Sequence, residues 1–150
     1  MLRSTRDTGH EFAKAVLTQT CECNNEDVIV LGSEKNRQVI ELKKNYKCSV
    51  YYRTSELRYG WWGLTKKVID DLKENSHFVV AFLRSAEDGY ILYGKDIDGF
   101  LRSFNQNSDN QYLVKEEELP LTRRTTPFLD INKFIILLKD YRKADKGCDI

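Results

Sequence analysis

The stretch that decides the fold is His77–Leu83, HFVVAFL, which is followed by Asp88-Gly89 and then by Tyr90–Tyr93, YILY. The first segment is an almost continuous apolar run, which predicts a strand that is buried on both faces. An Asp-Gly pair tolerates positive φ and is typical of a tight hairpin, so Tyr90–Tyr93 is predicted to be the return strand. A sheet of this kind needs elements that cover it, and the flanking sequence must supply them.

Apolar residues at helical spacing predict the covering helices. The predicted helices are about His10–Thr20, Leu64–Glu74, a short one after Asp96, and a C-terminal one from Thr126. Thr8 and Glu11 fit a capping box at the start of the first helix. In the last one Thr126 is the cap and Pro127 takes the favoured first position.

Four more segments have the β-branched, aromatic or alternating character of strands. They are Asp27–Leu31, Arg37–Lys43, Cys48–Arg53 and Gln111–Lys115. The order of elements predicts an α/β (α+β) fold in which a mixed central sheet is flanked by helices. The chain has no linker or repeat, so residues 1–150 are expected to form one domain.

Composition excludes several classes of protein. Of the 150 residues, 41% are hydrophobic and 31% are charged, which is not the composition of a disordered or fibrous chain. The longest apolar runs are far below the roughly 20 residues needed to cross a bilayer, so no membrane span is expected. Without a visible secretory signal, the four cysteines are expected to be reduced in a cytoplasmic protein. The net charge of +1 means that binding to a polyanion requires a local basic patch.

Asp27, Glu41 and Lys43 form the combination that could carry chemistry. Alternation along a strand puts Glu41 and Lys43 on one face, about 6.6 Å apart, and Asp27 opens the strand that can lie beside them. Converging carboxylates are suited to Mg²⁺ or Mn²⁺, and a nearby lysine can orient a metal-bound water for attack on a phosphodiester. Glu11 could add a ligand or act through water, although its place in the capping box explains it structurally as well.

This order of residues and elements resembles the PD-(D/E)xK nuclease superfamily, in particular archaeal-type Holliday-junction resolvases and type II restriction endonucleases. The resemblance covers about Gly9 to Tyr93, and Glu26 stands where the signature often has proline. It implies a restriction-endonuclease-like sheet, metal binding by Asp27 and Glu41, and catalysis by Lys43. Glu11 corresponds to an additional acidic residue of the first helix. DNA is the implied substrate, and a homodimer is implied because members usually cut both strands as dimers.

A basic and aromatic segment, residues 43–67, supports a nucleic-acid partner independently. It holds seven Lys or Arg residues against one acid, Glu56, so its net charge is +6, and six Tyr or Trp residues are interleaved. Cations neutralise phosphates, and aromatic faces can stack on bases. Tyr51 and one of the two tryptophans are expected to be buried instead. The cations expected to contact DNA are Lys44, Lys47, Arg53, Arg58, Lys66 and Lys67.

Other interpretations of the same residues remain open. The chain could be a non-catalytic nucleic-acid-binding module, or a nuclease-fold subunit that has lost activity. It could also be a protein-interaction domain with no nucleic-acid role. A zinc site could use Cys21, Cys23, Cys48 and His10, but structural zinc sites usually have a C-x₂₋₄-C spacing, so free thiols are favoured.

Overall fold

The structure is a computed structural model, which describes residues 5–20, 38–42, 47–55, 61–75, 77–104 and 110–148. Its helices are α1 (Thr5–Gln19), α2 (Lys66–Asn75), α3 (Ile97–Leu101), α4 (Leu119–Thr122) and α5 (Ile131–Cys148). Its strands are β1 (Val39–Leu42), β2 (Cys48–Thr54), β3 (Trp61–Thr65), β4 (Phe78–Leu83), β5 (Gly89–Tyr93), β6 (Gln111–Lys115) and β7 (Thr125–Phe128). The predicted strand Asp27–Leu31 lies outside the described residues.

The main sheet has five strands in the order β1-β2-β4-β5-β7. Strands β2 and β4 are parallel, and the other neighbours are antiparallel, so the sheet is mixed as predicted. Every residue of the central strand β4 is buried, because the sheet is covered on both faces. A second sheet consists of β3 and β6, which pair antiparallel.

The predicted hairpin is confirmed as β4–β5. Gly89, however, is required by steric space beside β4 and not by the backbone conformation of the turn. Gly89 pairs with Leu83, and a Cβ on it would collide with the carbonyl group of Phe82. The turn itself is closed by the Arg84 N–H, which donates to the Asp88 carbonyl at 2.9 Å. The glycine is therefore required by close approach of the neighbouring strand.

Two hydrophobic clusters lie on opposite faces of the main sheet. On one face α1 and α5 pack together, with Phe12 and Phe134 in edge-to-face contact at 5.1 Å between ring centroids. On the other face α2, α3 and the β3–β6 sheet cover Tyr51, Phe78 and Phe82. The sheet is thus flanked by helices on both faces, as the order of elements predicted.

The predicted start of the second helix is wrong. Leu64 belongs to β3, and the helix begins at Lys66. Trp62 and Leu64 are both buried while the residues between and beside them are half-buried, which is the alternation of a strand. Pairing with β6, which lies far along the chain, overrides the helical spacing of Leu64, Val68 and Leu72.

Both predicted helix caps are also wrong. Thr126 and Pro127 lie in β7, an edge strand where proline is tolerated, and Asp130 caps α5 by accepting a hydrogen bond from the Lys133 N–H at 2.8 Å. Helix α1 begins at Thr5, so Thr8 lies inside it and forms no capping box with Glu11. Within the described residues, no helix is both long enough and apolar enough to cross a membrane.

Candidate functional site

Several of the predicted site residues lie outside the described part of the chain. These are Asp27, Lys43, Lys44 and Arg58, whose roles stay predictions. The structure does place the other predicted residues, namely Glu11, Glu41, Lys47, Arg53, Lys66 and Lys67.

Glu41 is an exposed carboxylate on the edge strand β1. Its neighbours Ile40 and Leu42 are buried against α1 and α5, so Glu41 lies on the opposite face of the sheet, the face of Val39. Val39 is only 5% exposed, so alternation alone does not explain why Glu41 is exposed. A solvent-exposed carboxylate at the rim of a sheet carries the kind of oxygen ligands that hard cations prefer.

Glu11 is exposed on α1, which covers the other face of the main sheet. It lines a cavity of about 570 Å³ between α1 and the start of α5, together with Lys14, Glu87 and Asp130. The structure therefore does not bring Glu11 and Glu41 together.

The described residues contain no group of three or more His, Cys, Asp or Glu side chains that could hold a metal ion. A divalent ion needs several oxygen ligands, so Glu41 would need a second carboxylate from the residues that lie outside the described ranges. The sequence pattern predicts that this second carboxylate is Asp27. Carboxylates with this chemistry fit Mg²⁺ or Mn²⁺ better than a softer metal.

Three of the predicted DNA-binding cations lie on the same side of the sheet as Glu41. Arg53 is half-buried on β2 and reaches β3. Its Nη2 lies 3.9 Å from the point that a Cβ atom would occupy if Gly63 were replaced by a larger residue. Lys66 and Lys67 are exposed in the first turn of α2, which follows β3 directly. Lys47 is exposed and directly precedes β2, at the end of that strand opposite to Arg53, and its φ is 48°.

The ammonium group of Lys66 forms an ion pair within α2. Its Nζ donates to Asp70 Oδ2 at 2.7 Å, and this hydrogen bond raises the pKa of Lys66. The pair is exposed and spans one helical turn, so it contributes little to stability and can open when a phosphate competes for the ammonium group.

Most of the described aromatic residues of the segment 43–67 are core residues. Tyr51 is fully buried and accepts a hydrogen bond from the Thr65 N–H at 3.1 Å. Trp62 is 1% exposed, and its Nε1–H donates to the Leu83 carbonyl at 3.0 Å. These positions confirm that Tyr51 and one tryptophan are buried, and they leave half-buried Trp61 as the described aromatic closest to solvent.

Cys48, which the zinc interpretation would use, is buried at the start of β2. Its Sγ donates to the Ser49 carbonyl at 3.5 Å, and burial raises the pKa of the thiol to about 12. A thiol in this state stays protonated at neutral pH, which disfavours metal binding because the ligand form is the thiolate. Cys21 and Cys23 lie outside the described residues.

Burial of Cys48 predicts a specific dependence of stability on pH. A raised folded-state pKa contributes stability that is intact below the unfolded thiol pKa, near 9, and is lost as pH rises towards about 12. The unfolding free energy of the native chain minus that of Cys48→Ala should therefore fall by roughly 1–2 kcal/mol between pH 8 and pH 10. Urea titrations of both chains measure this difference, and an unchanged difference would contradict the assignment.

A second cavity, of about 560 Å³, lies between α2, α3 and the start of β6 and was not predicted. Lys66, Asp70 and Lys73 line it from α2. Once the bounds of α2 are known, the sequence alone predicts that these three residues share one face of the helix. The residues from α3 and β6 are 25 or more positions away, so only the tertiary structure reveals them.

No protein-family model matches the chain, and neither the curated proteins nor the solved structures gave a match. The functional argument therefore depends on the placement and chemistry of the chain's own residues.

Proposed function

We propose that the chain is a metal-dependent endonuclease that hydrolyses phosphodiester bonds in DNA, with a restriction-endonuclease-like arrangement of its sheet. The observation that supports this most is the exposure of Glu41 on a strand whose other three residues are buried. Glu41 is also the first residue of the Glu-x-Lys pattern, which requires a carboxylate and a lysine on one strand face.

In this proposal Asp27 and Glu41 hold Mg²⁺ or Mn²⁺, and Lys43 orients the attacking water. When bound by these residues, the ion would supply positive charge at the scissile phosphate and would lower the pKa of a coordinated water. The ammonium group of Lys43 also stabilises negative charge that develops on the phosphate oxygens. Glu41 would contribute carboxylate oxygens from the sheet rim, where its side chain is exposed to solvent.

The proposed DNA-binding cations hold the backbone on the side of the sheet covered by α2 and β3. Arg53 and the exposed Lys66 and Lys67 lie on that side, the same side as Glu41. Lys44, Lys47 and Arg58 extend the set along the sequence. Phosphate contacts of this type position the strand without reading its sequence.

The direct test is incubation of the purified chain with plasmid, branched and single-stranded DNA in the presence of Mg²⁺ or Mn²⁺. We expect metal-dependent cleavage of at least one substrate by the native chain and none by Asp27→Ala. If both chains are equally inert on all substrates, the endonuclease proposal is wrong. Salt-dependent binding without cleavage would instead support the alternative of a non-catalytic nucleic-acid-binding module.

The salt dependence of DNA binding tests the basic surface separately from cleavage. Each phosphate contact contributes a slope of about −0.9 to the plot of log K against log salt. Lys66→Ala with Lys67→Ala should therefore make the slope less steep by about 1.8 if both contact phosphates. Electrophoretic or fluorescence titrations of a DNA duplex over a range of salt concentrations give this slope.

The matched control is Lys133→Ala with Lys139→Ala. Both lysines are exposed on α5, which covers the opposite face of the sheet, so the same charge is removed from the chain. This variant should keep the native slope. An equal change in both variants would show that total charge matters, and no change in either would place the DNA-binding surface elsewhere.

A further inference from the structure

The cavity between α2, α3 and the start of β6 has the lining of a ligand site. Its volume of about 560 Å³ lies within the range of small-molecule sites, roughly 300–1,000 Å³. Lys66, one of the proposed DNA-binding residues, stands at its edge in the first turn of α2. The cavity is therefore next to the proposed path of the DNA backbone.

Charged groups of both signs line the cavity. Lys66 pairs with Asp70 at 2.7 Å, and Lys73 pairs with Asp98 at 2.6 Å, which links α2 to α3. Arg102 forms no ion pair with another described residue, so the described lining has one cation in excess. A guanidinium group that is not engaged by a carboxylate is suited to binding a phosphate through two hydrogen bonds.

The rest of the lining is aromatic and apolar. Phe104 is buried, with only 8% of its surface exposed, and packs against Phe100 at 4.8 Å between ring centroids, whereas Tyr112 is half-buried on β6. Ile69 and Leu101 complete the apolar part. Tyr112 pairs with Leu64, two residues before Lys66, so it lies beside the start of α2 and lines the cavity together with Lys66 and Lys73.

We infer that this cavity binds one unpaired nucleotide of a DNA strand, with the base against the ring of Tyr112 and the adjoining phosphate on Arg102. The inference rests on the proposed DNA-binding function. A base supplies a flat face that can stack on the Tyr112 ring, and a base N–H group, such as N3–H of thymine, can donate to Asp70 or Asp98. An isolated phosphate ion would have no base to stack on Tyr112, and the carboxylates of Asp70 and Asp98 would repel it.

The experiment compares the binding of oligo-deoxythymidine, the same strand with abasic sites in place of bases, and a fully paired duplex. The native chain should prefer the strand with bases to the abasic strand by about tenfold, the value of one stacked base. Arg102→Gln should weaken binding of the single strand, and Tyr112→Leu should remove the preference for bases. Neither variant should change the affinity for duplex by more than about twofold, because backbone contacts elsewhere dominate it.

The control is Lys133→Gln, which removes one exposed cation from α5 and should leave the preference for bases unchanged. Arg102 is exposed, so Arg102→Gln keeps the inference testable if loss of the half-buried Tyr112 ring disturbs folding. Native-like binding of the single strand by both variants would overturn the cavity site while the endonuclease proposal stands. If the native chain binds none of the three probes, the proposed DNA-binding function itself fails.

Discussion

Glu41→Gln is expected to abolish DNA cleavage while the chain stays folded and binds DNA. The change keeps the size of the side chain but replaces a charged carboxylate ligand with a neutral amide oxygen, which binds a hard cation more weakly. Loss of an ion that contributes several kcal/mol to the transition state should lower the cleavage rate by at least about 100-fold. Because Glu41 is exposed at a sheet edge, the unfolding free energy should change by less than about 0.5 kcal/mol.

Binding and cleavage respond in opposite directions to this change. Removing a negative charge near the phosphate should leave DNA affinity in the absence of metal unchanged or raise it. Glu117→Gln is the matched control, because Glu117 is an exposed glutamate of the turn after β6. Initial cleavage rates, metal-free affinities and urea unfolding of the three chains provide the comparison. Full activity of Glu41→Gln would remove Glu41 from the metal site.

The β4–β5 hairpin was predictable because the sequence features that specify it lie close together in the chain. An apolar run, a five-residue turn and a return strand lie within 16 residues, and the structure has them at Phe78–Leu83 and Gly89–Tyr93. The buried stripe of α1 was predictable for the same reason, since one helix face needs only its own spacing. Local patterns of this kind predict the type of an element well.

The errors fall where partners far along the chain decide the structure. Leu64 fits a helical stripe with Val68, but its pairing with Tyr112 in β6 places it in a strand. Pro127 fits the first turn of a helix, but it lies opposite Tyr90 at the edge of the main sheet. In each case the local pattern is compatible with two structures, and pairing with a distant strand selects between them.

The chemistry of the candidate site stays a prediction from the sequence, and its surroundings could be predicted only in part. The type and spacing of Glu41 and Lys43 indicate metal-dependent hydrolysis without any knowledge of the fold. The separation of Glu11 from Glu41 by the sheet could not be read from the sequence, because it depends on which face α1 covers. The aromatic residues of the segment 43–67 could be divided between core and surface only in part. Burial of Tyr51 and of one tryptophan was predicted, but which tryptophan is buried depends on the pairing of β3 with β6.

Trp62→Ala is expected to cause the largest loss of stability among these variants, about 3–5 kcal/mol. Trp62 lies in the segment that composition alone would assign to DNA binding, yet it is 1% exposed and packs edge-to-face against Phe82 and Tyr90. Truncation removes these contacts and leaves a large cavity between β3 and the main sheet. It also leaves the Leu83 carbonyl without the hydrogen bond that Trp62 donates.

The neighbouring tryptophan provides the matched control. Trp61 is half-buried on the other face of β3, so Trp61→Ala should cost no more than about 1 kcal/mol. Trp62→Phe should fall between the two, because it keeps most of the buried ring but loses the hydrogen bond. Urea unfolding of the three variants ranks these losses, and DNA titrations of Trp62→Phe, the variant expected to stay folded, should match those of the native chain. A stable Trp62→Ala with weakened DNA binding would reverse the assignment and make Trp62 a surface residue that contacts DNA.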